Sequence, residues 1–169
     1  QQVDAAMVRF IMSHHERITQ LTGQTPSDKM SQLLNSGSAI LDSTPPIKAC
    51  LAAEQAGGNI LSYYQALINA HFMDGLRIVE DETLGQIAVE CGIDTENFQN
   101  AFNALNEAAV VQHINASRAL LQTVGGQGFP TFALEQNGQI EILNHQRLFN
   151  NPAGWQESLN AILVSETIH

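Results

Sequence analysis

The chain has 169 residues, 44% of them hydrophobic, enough to bury one core or a core with a satellite lobe. Seven Lys plus Arg against seventeen Asp plus Glu give a formal charge of -10, which repels phosphate backbones and anionic headgroups and excludes nucleic acid and membrane surfaces as expected partners. No apolar run approaches the ~18 residues of a bilayer span, residues 1–20 lack the apolar stretch of a signal peptide, and the isolated Cys50 and Cys91 supply neither a disulfide framework nor zinc spacing.

In chain order, helices come first. Gln1 stands where an initiator methionine would and leads almost directly into a helix, so the displayed chain is expected to be part of a longer product. Asp4 is placed to cap that helix, Val3, Met7, Phe10, Ile11, His14, Ile18 and Leu21 recur at three- and four-residue spacing, and Gly23 ends it. A short helix follows Thr25-Pro26-Ser27-Asp28. Ser43-Thr44-Pro45-Pro46 opens another that runs to Gly57-Gly58, with proline in its first turn and glycine past its end. Asn59 caps a helix carrying Ile60, Leu61, Tyr64, Leu67, Ile68 and Phe72, which Gly75 terminates. Asp81 caps a segment ending at Cys91-Gly92, Asp94 caps one bearing Phe98, Phe102 and Leu105, and a long helix through Val110, Ile114, Leu121 and Val124 stops at Gly125-Gly126.

After residue 128 the period changes to two. Thr131 to Glu135 and Gln139 to Leu143 flank Gln136-Asn137-Gly138, and Asn-Gly between apolar alternations predicts a β-hairpin. Asn151-Pro152 starts a last helix whose Trp155, Leu159 and Ile162 share a face that can cover the hairpin. Pro130 opens the first strand. It cannot donate a ladder hydrogen bond, so it marks a special turn, for which a cis Phe129-Pro130 bond is one solution. Two strands make an unstable sheet in water, so the Thr131 to Glu135 strand asks for another neighbour.

A helix ending in Gly-Gly, then Gly128-Phe129-Pro130-Thr131-Phe132, a hairpin and a closing helix resemble the second half of a thioredoxin fold. The helical block before them is similar to the insertion of the DsbA family, and Leu21-Thr22-Gly23-Gln24, Asp42-Ser43-Thr44-Pro45-Pro46-Ile47, Ala52-Ala53-Glu54 and Gly125 through Leu134 resemble its FrnE-like predicted disulfide isomerases. The resemblance implies an α+β chain: residues 1–124 as a helical block, mostly the DsbA-type insertion, and residues 125–169 as the C-terminal half of the thioredoxin fold. It implies that Pro130 is the family's cis-proline and that Phe129, Pro130 and Thr131 shape the site for an extended substrate. The family's redox chemistry belongs to a Cys-x-x-Cys at the start of the first thioredoxin helix. These 169 residues contain no Cys-x-x-Cys. The N-terminal βαβ unit that carries it is expected to precede Gln1, leaving no catalytic residue in view and the displayed chain inactive by itself.

The expected function of the intact protein is thiol-disulfide oxidoreductase or isomerase, acting on thiol- or disulfide-containing proteins, with no cofactor or metal. A kappa-type glutathione transferase or hydroxychromene-carboxylate isomerase, which puts a glutathione-activating serine in place of the dithiol, is the alternative enzyme class, and a non-catalytic binding module is the third reading. The apolar strand edge predicts a homodimer or strand-exchanged assembly through residues 131–135 if Gln1 is the first residue, and internal pairing of that edge otherwise. The lack of a disulfide framework favours the cytoplasm. Elsewhere the simplest roles are structural. Cys50 and Cys91 are read as inert thiols within helices, His14 as a histidine at the core's edge, Glu80-Asp81-Glu82 as a solvated helix start, and Tyr63, Tyr64 and Phe72 as core.

Overall fold

The computed structural model describes residues 2–136 and 138–164. The Asp4 carboxylate accepts the Met7 amide at 2.8 Å, satisfying a donor that the first helical turn leaves unpaired, and α1 (Ala5–Thr22) follows. Then come α2 (Asp28–Asn35) and α3 (Thr44–Gln55), whose Pro45 and Pro46 occupy the first turn, where proline removes no intrahelical bond. Asn59 caps α4 (Ile60–Phe72) by accepting the Ser62 amide at 3.0 Å, and Asp94 caps α6 (Thr95–Ala104) through the Asn97 amide at 2.9 Å. Between them lies α5 (Asp81–Glu90). Its N-cap is Glu80 rather than Asp81, and Arg77 holds the Glu80 carboxylate at 2.8 Å. Helix α7 (Glu107–Thr123) precedes the strands β1 (Phe132–Gln136) and β2 (Gln139–Leu143), a 3-10 turn at His145–Leu148, and α8 (Pro152–Val164).

The chain divides into two compact units, one within Gln1–Ile18 and Gln24–His113, the other within Thr19–Gly23 and Ile114–His169. In the first, α3, α4, α5 and α6 pack around Tyr63, Leu67, Leu84, Ile87, Phe98 and Phe102. Small residues on α3 permit this approach: Ala49, Ala52 and Ala53 are fully buried. Removing each large side chain from water contributes about 1.5–3 kcal/mol. A second cluster joins Val3, Met30, Leu34 and Ala39, backed by Met7, Ile11 and Phe72. Gly75, at φ +65°, turns the chain after α4 so tightly that an added Cβ would lie 2.6 Å from the Lys29 carbonyl oxygen, so only glycine fits there.

In the second unit β1 and β2 pair antiparallel, with Phe132 opposite Leu143 and Leu134 opposite Glu141. Asn137, the centre of the expected turn, lies outside the described residues, as does Gln1. Trp155 of α8 meets Phe132 edge-on at 5.3 Å, so α8 covers one face of the hairpin as its apolar stripe implies.

Three side chains depart from the sequence expectation. His14 is exposed and meets the exposed Phe10 edge-on, ring centroids 4.4 Å apart, whereas His15 is the buried histidine. The inward stripe of α1 runs through Met7, Ile11 and His15, continuing from Val3 just before the helix, and is rotated from the one that Phe10 and Leu21 suggest. Tyr64 is exposed while Tyr63 is buried, because adjacent helical positions point about 100° apart. Cys91 lies one residue past α5, as its C-cap.

Candidate functional site

The second unit builds its site from the end of α7, the segment 125–131 and the hairpin. Gly126 lets the chain fold back against Leu121 and Thr131; a Cβ there would come within 2.9 Å of the Thr131 hydroxyl oxygen. That hydroxyl donates to the Gly128 carbonyl at 2.6 Å and pins the loop from its far end. Between these anchors the Phe129–Pro130 peptide is cis. The Phe129 side chain is 67% exposed, an unusual place for a ring whose burial would contribute about 1.5–3 kcal/mol. Pro130 is exposed and Thr131 half-buried, so the three residues expected to shape a site stand together at the surface.

Beside them lies a groove of about 330 Å³. One wall is Leu120 and Leu121 of α7 with Val124 just past its end, and the other is Thr131, just before β1, with Ala133 and Glu135 on it. The period of two in β1 explains this division: residues 131, 133 and 135 face the groove, while Phe132 turns to Trp155 and to His145, whose ring is 5.4 Å away. Sequence reasoning did not identify Leu120, Ser117, Glu135 or Ile140 as groove residues. The three- and four-residue spacing of Ser117, Leu120 and Leu121 on α7 and Val124 at its end was the available signal, but only the fold shows that this stripe faces a cavity.

Among the described residues, β1 pairs with β2 alone and no side chain of the second unit is fully buried. A two-stranded sheet so thinly covered is marginal in water.

The cysteines belong to the other unit and have the wrong character for attack. Both are free thiols. Burial pushes Cys50 up to about 11, and burial followed by the neighbouring Glu90 pushes Cys91 upward too. A nucleophilic cysteine needs the opposite shift.

A family model for the DSBA-like thioredoxin domain matches residues 33–151. The chain belongs to that family. Its fold is therefore the DsbA-like thioredoxin fold. The cytosolic disulfide reductase DsbM from Pseudomonas aeruginosa is similar at 36% identity and a TM-score of 0.87, over 96% of this chain and 78% of that one. The structure of the same reductase with GSH gives 36% identity and a TM-score of 0.86, over 96% and 79% of the two chains. A Nitrosomonas europaea protein provisionally named a protein disulfide isomerase shares the fold at 17% identity and a TM-score of 0.67, covering 92% of this chain and 78% of its own. No curated protein matches. Among the described residues no helix is long and apolar enough to cross a membrane.

Proposed function

We propose that this polypeptide serves as a cytosolic thiol-disulfide oxidoreductase working as a disulfide reductase, with glutathione as its small-molecule thiol partner. The observation that carries the reading is the cis Phe129-Pro130 turn, its two side chains exposed, set beside an apolar groove; the likeness to a disulfide reductase, also solved with GSH, supports it.

Thiol-disulfide exchange proceeds when a thiolate attacks one sulfur of a disulfide, forming a mixed disulfide and releasing the other sulfur as a thiolate. A second thiolate then attacks the mixed disulfide, freeing the substrate sulfur as a thiol and leaving the enzyme dithiol as a disulfide, which two glutathione molecules reduce while becoming glutathione disulfide. Cys50 and Cys91 do not serve as that dithiol, since burial disfavours their thiolates; we assign it to residues outside the 169 displayed. The residues of this chain position the substrate. An extended disulfide-bearing segment lies along the loop, exchanging backbone hydrogen bonds with Phe129 and Thr131 while Phe129 and Leu120 contact its apolar side chains. A further strand, supplied by the same polypeptide or by a second molecule, extends the sheet beside β1.

The test is glutathione-coupled disulfide reduction by the polypeptide expressed from its complete reading frame. Activity should survive the double substitution Cys50→Ser, Cys91→Ser, and Phe129→Ala should raise KM several-fold with less effect on kcat. Loss of activity with the serine variants, or a Phe129→Ala enzyme with unchanged KM, would overturn the assignment of roles. Light scattering of the same preparation distinguishes an internally completed sheet from a homodimer.

A further inference from the structure

The helical unit contains a cavity of about 540 Å³ that the chemistry above does not use. It lies where the end of α1, the segment 24–26 and the outer side of α4 meet, and His15, Ile18, Pro26, Ile68, Phe72 and Met73 form its apolar wall. Volume and lining match a small-molecule site, in which an apolar surface provides affinity and a few polar groups fix orientation.

His15 is the distinctive member. Its side chain is 8% exposed and rests edge-on against Phe72, ring centroids 5.7 Å apart. Among the described residues no hydrogen bond reaches its ring nitrogens. They are not sealed in, because Arg77 Nε is the one described buried side-chain nitrogen or oxygen lacking a partner, and His15 lines the cavity. Burial first, then His71 and His14, push the imidazole pKa below its ordinary value. The ring is therefore held neutral, with one N–H to donate and one bare nitrogen to accept. A polar group so placed gains when a guest supplies the missing partner.

Charge narrows the guest. Among the described residues no Asp, Glu, Lys or Arg lines the cavity, and its remaining polar groups are the amides of Gln24, Gln65 and Asn69 and the Thr25 hydroxyl. Gln65 already donates to Asn69 Oδ1 at 3.1 Å. An anion would find no cation here in a chain of net charge -10, and a cation would find no carboxylate. Either would lose hydration without compensation.

We propose that this cavity binds a small, uncharged, mainly apolar molecule carrying one hydrogen-bonding group, an aromatic alcohol or amide in character, with His15 as its polar anchor. The site does not depend on the dithiol chemistry and stands or falls separately from it.

The test titrates the intact chain at neutral pH with 2-naphthol and, in parallel, with 2-naphthalenesulfonate, read by NMR at the His15 ring and at the Ile18 and Ile68 methyl groups. Saturable binding of 2-naphthol that shifts all three residues is expected, with the sulfonate at least about tenfold weaker, a difference of ~1.4 kcal/mol. His15→Phe keeps a ring against Phe72 but removes both nitrogens, and should weaken 2-naphthol about fivefold, the net value of one hydrogen bond. Ile68→Trp, at a half-buried position, fills the cavity and should abolish binding even if His15→Phe does not fold. Equal binding of the sulfonate, shifts confined to other residues, no saturation up to the solubility of 2-naphthol, or unimpaired binding by Ile68→Trp would each overturn the proposal.

Discussion

The Tyr63 hydroxyl on α4 donates to the Leu84 carbonyl on α5 at 3.0 Å, and both residues are wholly buried. This bond ties two helices at the centre of the first unit, beside Phe98, whose ring centroid is 5.9 Å from that of Tyr63. Tyr63→Phe keeps the packing and removes the donor, so it should cost about 1–2 kcal/mol, whereas Tyr63→Ala should cost about 3–5. Burial also pushes the phenol pKa upward. A pKa raised in the folded state means that the unfolded chain loses its proton first, so stability falls as pH climbs past about 10. Urea melts at pH 7 and pH 10.5 check both parts: the alkaline loss should be smaller in Tyr63→Phe. An unchanged midpoint for Tyr63→Phe at pH 7 would remove the hydrogen bond from the account of stability.

His15 predicts a pH dependence of the opposite sense. Burial, His71 and His14 lower its folded-state pKa, so below about pH 6.5 the unfolded chain binds the proton before the folded one does. Stability attributable to this residue is complete above that pH, declines as pH falls towards the lowered folded value, and levels off beneath it. The slope cannot exceed ~1.4 kcal/mol per pH unit. Melting His15→Phe alongside the native sequence between pH 7 and pH 5 isolates it; identical slopes would show that other groups carry the acid response.

Most helix boundaries were legible because capping chemistry is local. Asp4, Asn59 and Asp94 each accept the amide three residues on, as their side chains and positions imply. The cis turn at Phe129-Pro130 was legible for the same reason, being carried by one contiguous segment. What escaped was rotational. Whether His14 or His15 points inward depends on where α2 and α4 lie against α1, and a stripe with apolar residues at both Phe10 and Ile11 does not settle it. The groove was hidden for a related reason: α7 and β1 are separate elements, and their residues form a surface only after folding brings them together.

The two thiols should be slow to react. With a pKa of about 11, roughly 1 in 3,000 Cys50 side chains is a thiolate at pH 7.5, and its partial burial hinders reagents as well. Cys91, less enclosed, should alkylate faster than Cys50 but more slowly than free cysteine. Iodoacetamide labelling followed by peptide mass spectrometry ranks the two sites. Rapid modification of Cys50 in the folded protein would contradict the description of its surroundings.

Gly126 links the end of α7 to the proposed substrate loop. A methyl group at this position would overlap the Leu121 side chain and press on Thr131, approaching its hydroxyl oxygen to 2.9 Å and its methyl carbon to 3.1 Å. Leu121 can rotate away, but Thr131 is held by its 2.6 Å bond to the Gly128 carbonyl, so relief of the second clash requires the loop itself to move. Gly126→Ala should therefore loosen residues 128–131 and cost about 1–3 kcal/mol locally, as overpacking does. Thr131→Val, which keeps the shape but removes the hydroxyl, should loosen the same loop by a different route. Adding Leu121→Ala to Gly126→Ala should restore little, because Thr131 rather than Leu121 transmits the displacement. Hydrogen exchange at the amides of residues 128, 129 and 131 provides the readout. Protection unchanged in Gly126→Ala, or fully restored by Leu121→Ala, would show that the loop is positioned independently of the α7 terminus.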